Sequence, residues 1–249
     1  MRRLLKGDLI RLVRKKSMGL AALSMVLLVI GTVLYGLDQG LYNGYTFMEC
    51  ADEATSIGAF IFGIVTLVGV YGDEFKSMSM SNVIGRGLSR KKIVIAKFLD
   101  SLVIMVMLTF VYAVVIFLFS RILGVTLTSL ETKALYLDCY LNVVYVVGYI
   151  LVSSIFLYAT GNVPLGIMVY IILSVVVPYI LDIFKYSPLM VRFHFNRYFL
   201  YSLTSRAYTD ILLGMEGSGM MHVLLGAIIY IGGALVISMI IFDRREMDF

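Results

Sequence analysis

Charge is what this sequence has least of. Only 15% of its 249 residues are Asp, Glu, Lys or Arg, where a soluble domain carries about a quarter. With 60% hydrophobic residues and a mean hydropathy of +0.94, this excludes a water-soluble globular chain. It leaves no length for a sizeable soluble domain, so residues 1–249 read as one membrane domain. Cysteine is also scarce. Cys50 and Cys139 make neither a disulfide framework nor a zinc site, and no metal site is expected. Both fall on the expected outer side, where one bond between them stays open and two unpaired thiols are the simpler expectation. The dipeptide Gly-Lys never occurs, which excludes a phosphate-binding loop of the G-x-x-x-x-G-K-[ST] type. The net charge of +5 reads as membrane topology rather than nucleic-acid binding.

What is present is a series of uncharged runs. Met18 to Leu37 is twenty residues long, enough at about 1.5 Å per residue to cross a core of about 30 Å. It is too long for a signal-peptide core, and no A-x-A-like site follows it. Residues 139–181 form an uncharged run of 43, far too long for one span. Gly161-Asn162-Val163-Pro164-Leu165-Gly166 interrupts that run with residues that end helices and build turns. The expected architecture is an all-α integral membrane protein with six spans, at about 18–37, 54–72, 98–120, 139–160, 165–182 and 223–242. The helix of the third span is expected to start earlier, near Ser89. Pro178 is tolerable inside the fifth, where it is expected to kink the helix.

The basic residues orient these spans. With both termini cytoplasmic, the inner segments carry fifteen Lys and Arg and the outer ones six, as the positive-inside rule requires. Residues 1–17 hold seven basic residues, with Leu5, Leu9, Leu12 and Val13 at helical spacing. They read as an amphipathic helix on the inner membrane face, or as an ordinary positive-inside flank. Residues 183–222 mix Phe184, Tyr186, Phe193, Phe195, Tyr198, Phe199, Tyr201 and Tyr208 with three arginines. That composition suits short helices in the outer interface, where aromatic rings sit at headgroup level.

The span cores lack Asp, Glu, Lys, Arg and His. Ion-coupled carriers usually place such groups there, although carbonyls and hydroxyls also bind sodium. Gly217-Ser218-Gly219 with His222 raises a serine-protease reading. The two glycines argue against the helix that would align Ser218 with His222. His194 reads as a lone interfacial histidine.

The densest internal charge lies in Tyr71 to Lys97. Asp73 and Glu74 run against the positive-inside bias at the inner end of the second span. They suit the N-terminus of a short helix from Phe75 to Ile84, with Phe75, Met78 and Val83 as its buried points. Gly85 and Gly87 end it, and Ser89 caps the next helix. Arg90, Lys91 and Lys92 then stand in a first turn, where positive charge opposes the helix dipole. Lipid phosphate or an acidic partner offsets this.

The order Glu74, short helix, Val83-Ile84, Ser89-Arg90 and Lys97 resembles the permease subunits of type 2 ATP-binding-cassette exporters. Met78-Ser79 stands where Gly-Thr is frequent in that family. The span count, basic N-terminus, inner hairpin and aromatic outer segment extend the resemblance over nearly the whole chain. It implies a coupling helix between spans 2 and 3, seated on a separate ATPase subunit. The docking residues would be Asp73, Glu74, Phe75, Lys76, Met78, Asn82, Arg86, Ser89, Arg90, Lys91 and Lys92. It further implies two ATPase subunits holding ATP and Mg, a second permease chain, re-entrant helices before span 6, and a bacterial cell membrane. This chain itself would hold no cofactor and perform no catalysis. Tyr112, Tyr145, Tyr149, Tyr158 and Tyr170 are candidate linings of a cargo pathway. Small members of the family resemble self-protection pumps for antimicrobial peptides such as lantibiotics or bacitracin, so an amphipathic peptide is the first cargo expected. An ion-coupled carrier and a non-transporting membrane scaffold are the alternatives.

Overall fold

The computed structural model describes residues 7–8, 10–12, 14–38, 44–72, 75, 84–85, 88–184, 198–212 and 216–244. Among these, every regular element is helical. They are α1 (Lys16–Asp38), α2 (Gly44–Leu67), α3 (Arg90–Ile122), α4 (Ser129–Thr160), α5 (Val163–Ile183), α6 (Leu200–Leu212), α7 (Glu216–Ala227) and α8 (Gly233–Arg244). Single π turns extend α2 over Val68–Gly72, interrupt α5 at Ile172–Val176 and join α7 to α8 at Ile228–Gly232.

Five stretches among the described residues are long and apolar enough to cross a membrane: Thr46–Gly72, α3, α4, α5 and Met220–Arg244. The protein is a multi-pass integral membrane protein. The first expected span, 18–37, falls in α1, where Met18–Gly31 is a shorter apolar helix. Large apolar side chains such as Phe110, Ile122, Ile228 and Ile229 stand exposed on the outside, as they do where lipid is the solvent.

The helices run further than the apolar runs do. α2 begins at Gly44 rather than near residue 54, and α3 starts at Arg90 and reaches Ile122. The expected outer loop of residues 121–138 shrinks to 123–128. The physical reason is that backbone groups near the membrane boundary are satisfied most cheaply inside a helix. The apolar pattern marks only the stretch that meets hydrocarbon. α3 has 33 residues, or about 50 Å at about 1.5 Å each, and overshoots a core of about 30 Å. α4 begins on a capping box. The Glu131 N–H donates to Thr128 Oγ1 at 3.3 Å and the Thr128 N–H to Glu131 Oε2 at 2.7 Å. α7 passes through Gly217 and Gly219, against the expectation that these residues break the helix. Their propensity cost, about 1 kcal/mol each, is outweighed by the long helix they open.

The hairpin between α4 and α5 is as its residues suggest. Gly161 ends α4 in the left-handed region (φ 70°), and its N–H donates to the Leu157 carbonyl at 2.8 Å. Asn162 precedes α5, and Pro164 sits in the first turn, where a missing N–H costs nothing.

α4 is the centre of the bundle and packs against α2, α3, α5, α6 and α8. Val146, Val147, Tyr149, Ile150, Leu151, Leu157 and Tyr158 are all buried along it. α5 meets α2 at Gly63. The Tyr170 hydroxyl donates to the Ala59 carbonyl at 3.1 Å, and a Cβ at position 63 would overlap that ring. Only glycine leaves room for this approach.

Candidate functional site

The bundle has two chemically distinct ends. The basal end holds the N-terminal segment, the start of α3 and the end of α8. The distal end holds Asp52, Asp138 and α6. Asp52 and Gly69 are separated by 17 positions along one continuous stretch of helix, or about 25 Å.

At the basal end, Lys97 is 1% exposed and Asp100 fully buried. Lys97 Nζ lies 2.7 Å from Asp8 Oδ2 and 3.5 Å from Asp100 Oδ2, and Asp8 Oδ1 lies 3.6 Å from Arg11 Nη2. Two positive and two negative groups thus close a neutral quartet. It ties the N-terminal segment to α3, and the buried Leu12 adds apolar packing beside it. Lys15 Nζ donates to the Gly69 carbonyl at 3.0 Å and ties the same segment to α2. The buried part of α3 thus extends beyond the uncharged core of the span and includes two ionisable groups. The apolar run begins at Ser101, and the buried helix begins before it.

The expected docking residues divide in two. Asp73, Glu74, Lys76, Met78, Asn82 and Arg86 lie outside the described residues. Phe75 is half-buried, with its ring 5.9 Å from that of Tyr158. Ser89 is the N-cap of α3 in extended conformation, but its side chain makes no capping bond. Arg90 donates from Nη1 to the carbonyls of Phe242 (2.9 Å) and Asp243 (3.0 Å), with its guanidinium 5.8 Å from the Phe242 ring centroid. Lys91 pairs with Asp243 at 3.8 Å. Lys92 is exposed. The positive charge that opposes the dipole at the start of α3 thus sits on the negative end of α8.

All five candidate pathway tyrosines are described, and four of their hydroxyls are engaged within the bundle. The Tyr112 hydroxyl donates to the Ala51 carbonyl at 2.6 Å and meets the Thr55 hydroxyl, fastening α3 to α2. The Tyr170 hydroxyl holds α5 to α2, as described above. The Tyr149 hydroxyl accepts the Tyr201 N–H at 3.4 Å, fastening α6 to α4. Tyr145 donates to the Ser174 carbonyl at 2.7 Å. In a regular helix that carbonyl would accept from the residue four positions on, which is Pro178 and has no N–H. Tyr145 supplies the missing donor. Tyr158 is buried at the basal end among Tyr71, Phe75 and Phe242.

The distal end contains a cavity of about 340 Å3, lined by Asp52 and Ser56 of α2, Asp138 and Asn142 of α4, and Tyr201 and Tyr208 of α6, among others. Asn142 Nδ2 donates to Asp138 Oδ1 at 2.8 Å. Among the described residues, no Lys, Arg or His lines the cavity. Burial pushes the Tyr208 phenol up to about 12, with Asp138 and then Asp52 adding to it. Burial also raises Tyr201, followed by the nearby Asp182 carboxylate.

Sequence reasoning missed Asp52, Asp138, Asn142, Tyr201 and Tyr208. The signal was present in the spacing. Asp138, Asn142 and Tyr145 fall at i, i+4 and i+7, and so do Tyr201, Ser205 and Tyr208. Each set makes a polar stripe on one helix face.

Among the described residues, no group of three or more His, Cys, Asp and Glu lies together to hold a metal ion. Cys50 and Cys139 are free. Compared with known proteins, the chain matches no protein-family model and no curated protein.

Proposed function

We propose that this chain is the six-span permease subunit of an ATP-driven exporter, moving amphipathic cargo out of the cell by alternating access. An antimicrobial peptide is the first candidate. A separate ATP-binding-cassette subunit, in two copies, supplies the energy and holds ATP and Mg, and a second permease chain completes the unit. Residues 73–92 are the docking element, with the first residues of the chain as a brace beside it.

The observation that carries this reading is the way the ends of that element are anchored. Phe75 packs on Tyr158 of α4, and Arg90 grips the end of α8. A push on residues 76–88 therefore reaches α3, α4 and α8 together, as a coupling element requires. The absence of a Gly-Lys phosphate loop supports an energy source outside the chain.

The test is affinity purification of the full chain from its native membrane in mild detergent. A stoichiometric ATPase subunit is the expected companion. Glu74→Arg is expected to abolish that association while leaving membrane insertion intact. Normal co-purification of the variant would sink the docking assignment.

An ion-coupled carrier is the second reading. The carboxylates of Asp52 and Asp138 facing one cavity favour it, since a coupling ion needs such a site. Under that reading transport stops when the ion gradient is collapsed and needs no ATPase.

A further inference from the structure

The lining of the distal cavity is lopsided in its chemistry. Of its eleven lining residues, only Leu141 has an aliphatic side chain. Four of the donors on that surface are engaged inside the protein. Asn142 donates to Asp138, Tyr145 to the Ser174 carbonyl, Ser174 to the Tyr170 carbonyl at 2.7 Å, and Thr204 to the Leu200 and Tyr201 carbonyls at 3.1 and 2.9 Å. The lining also carries the Ser56, Ser205 and Tyr208 hydroxyls and two carboxylates. The Asp52 carboxylate makes no hydrogen bond or ion pair among the described residues, and Asp138 accepts from Asn142.

Two carboxylates with no cation among the described lining residues fit a ligand that only donates. An ammonium group has three N–H donors and no acceptor. The size and the ring lining extend the match. At about 340 Å3 the space is at the lower end of small-molecule sites, which run from about 300 to about 1,000 Å3. It is oversized for a bare metal ion. Calcium would ask for about six to eight oxygen ligands, against two carboxylates here. The Tyr145, Tyr201 and Tyr208 side chains add aromatic faces suited to a cation and its apolar body.

We propose that the Asp52–Asp138 cavity binds an organic ammonium cation, its nitrogen between the two carboxylates and its apolar body against the tyrosines of α4 and α6. Only the further step, that this ammonium belongs to the exported cargo, rests on the exporter reading. In that case the substrate class is a cationic amphipath, such as a peptide carrying lysine-like side chains.

The test uses the purified full chain in lipid nanodiscs with phenethylammonium as probe and 2-phenylethanol as its uncharged counterpart, titrated by calorimetry. The ammonium is expected to bind at least about tenfold more tightly than the alcohol. Asp52→Asn and Asp138→Asn are each expected to weaken it by about tenfold. Glu49→Gln, an exposed acid near the same end that does not line the cavity, is expected to leave binding unchanged. Both cavity variants keep side-chain volume and remove charge from a largely apolar bundle, so they are expected to fold. Equal affinity for amine and alcohol would overturn the proposal, as would no binding by the unmodified chain. Binding indifferent to both substitutions, or stoichiometric displacement of the probe by calcium, would do the same. Asp52-dependent binding without any ATPase companion would leave the cavity standing and remove the exporter. An ATPase companion without ammonium binding would do the reverse.

Discussion

The basal and distal ends carry the same kinds of charge and use them in opposite ways. At the basal end, Lys97 meets Asp8 and Asp100, Arg11 meets Asp8, Arg90 meets the end of α8, and Lys91 meets Asp243. Every one of these contacts joins the chain to itself. At the distal end, Asp52 and Asp138 face an open space that no cation among the described residues lines. Burying a charge is costly unless it is paired. Paired, buried charge at one end therefore reads as a lock, and the exposed Asp52 and half-buried Asp138 at the other as a place where a partner charge enters.

The sharpest way to break this comparison is to remove Lys97. Lys97→Met removes the buried cation that Asp8 and Asp100 share and is expected to cost about 3–5 kcal/mol of stability, read by unfolding in mixed micelles. Asp52→Asn at the distal end is expected to cost almost nothing by the same measurement, because it takes away an unpaired charge. If the two variants lost stability equally, the division between lock and binding cavity would collapse.

Tyr145 tests the boundary between the two roles, since it lines the cavity and also repairs α5. Tyr145→Phe keeps the ring and removes the only side-chain donor to the Ser174 carbonyl. The expected cost is about 1–3 kcal/mol, the price of an orphaned buried acceptor. In a Pro178→Ala background the helix regains its own N–H, and the same change is expected to cost less. This double-mutant cycle separates repair of the helix from any part in ligand binding. No coupling between the two positions would return Tyr145 to the cavity alone.

Much of the fold was legible because its signals are local. Gly161-Asn162-Val163-Pro164 reads as a hairpin and is one, since left-handed backbone at Gly161 and a missing N–H at Pro164 are properties of those residues themselves. Ser89 reads as the start of a long helix for the same reason. What was not legible is pairing across the chain. Asp8 and Lys97 lie 89 positions apart, and nothing in either neighbourhood announces the other. Hydropathy also drew the third span from residue 98 onward and so left Lys97 outside the buried part of α3. The distal cavity failed differently. Its polar stripes were readable on α4 and α6, but only the packing of α6 against α4 turns two stripes into one enclosed lining. The tyrosines were read as linings of a cargo pathway, and the hydroxyls of Tyr112, Tyr145, Tyr149 and Tyr170 make helix-to-helix bonds that no periodicity encodes.

The smallest expected effect concerns Arg90 and refines the lock. Its guanidinium reaches two terminal carbonyls of α8 and covers the Phe242 ring. Lys91, beside it, makes an exposed pair with Asp243. Arg90→Lys keeps the charge against the α8 dipole but loses the fork and the flat stacking face, so a loss of about 0.5–1 kcal/mol is expected. Lys91→Ala should fall near zero, as exposed pairs usually do. The same micelle unfolding experiment orders the two. If Lys91→Ala proved the costlier change, net charge near the end of α8 would matter more than geometry, and the basal end would be an electrostatic patch rather than a set of specific clamps. The expected order instead makes Arg90 a specific clamp between the start of α3 and the end of α8.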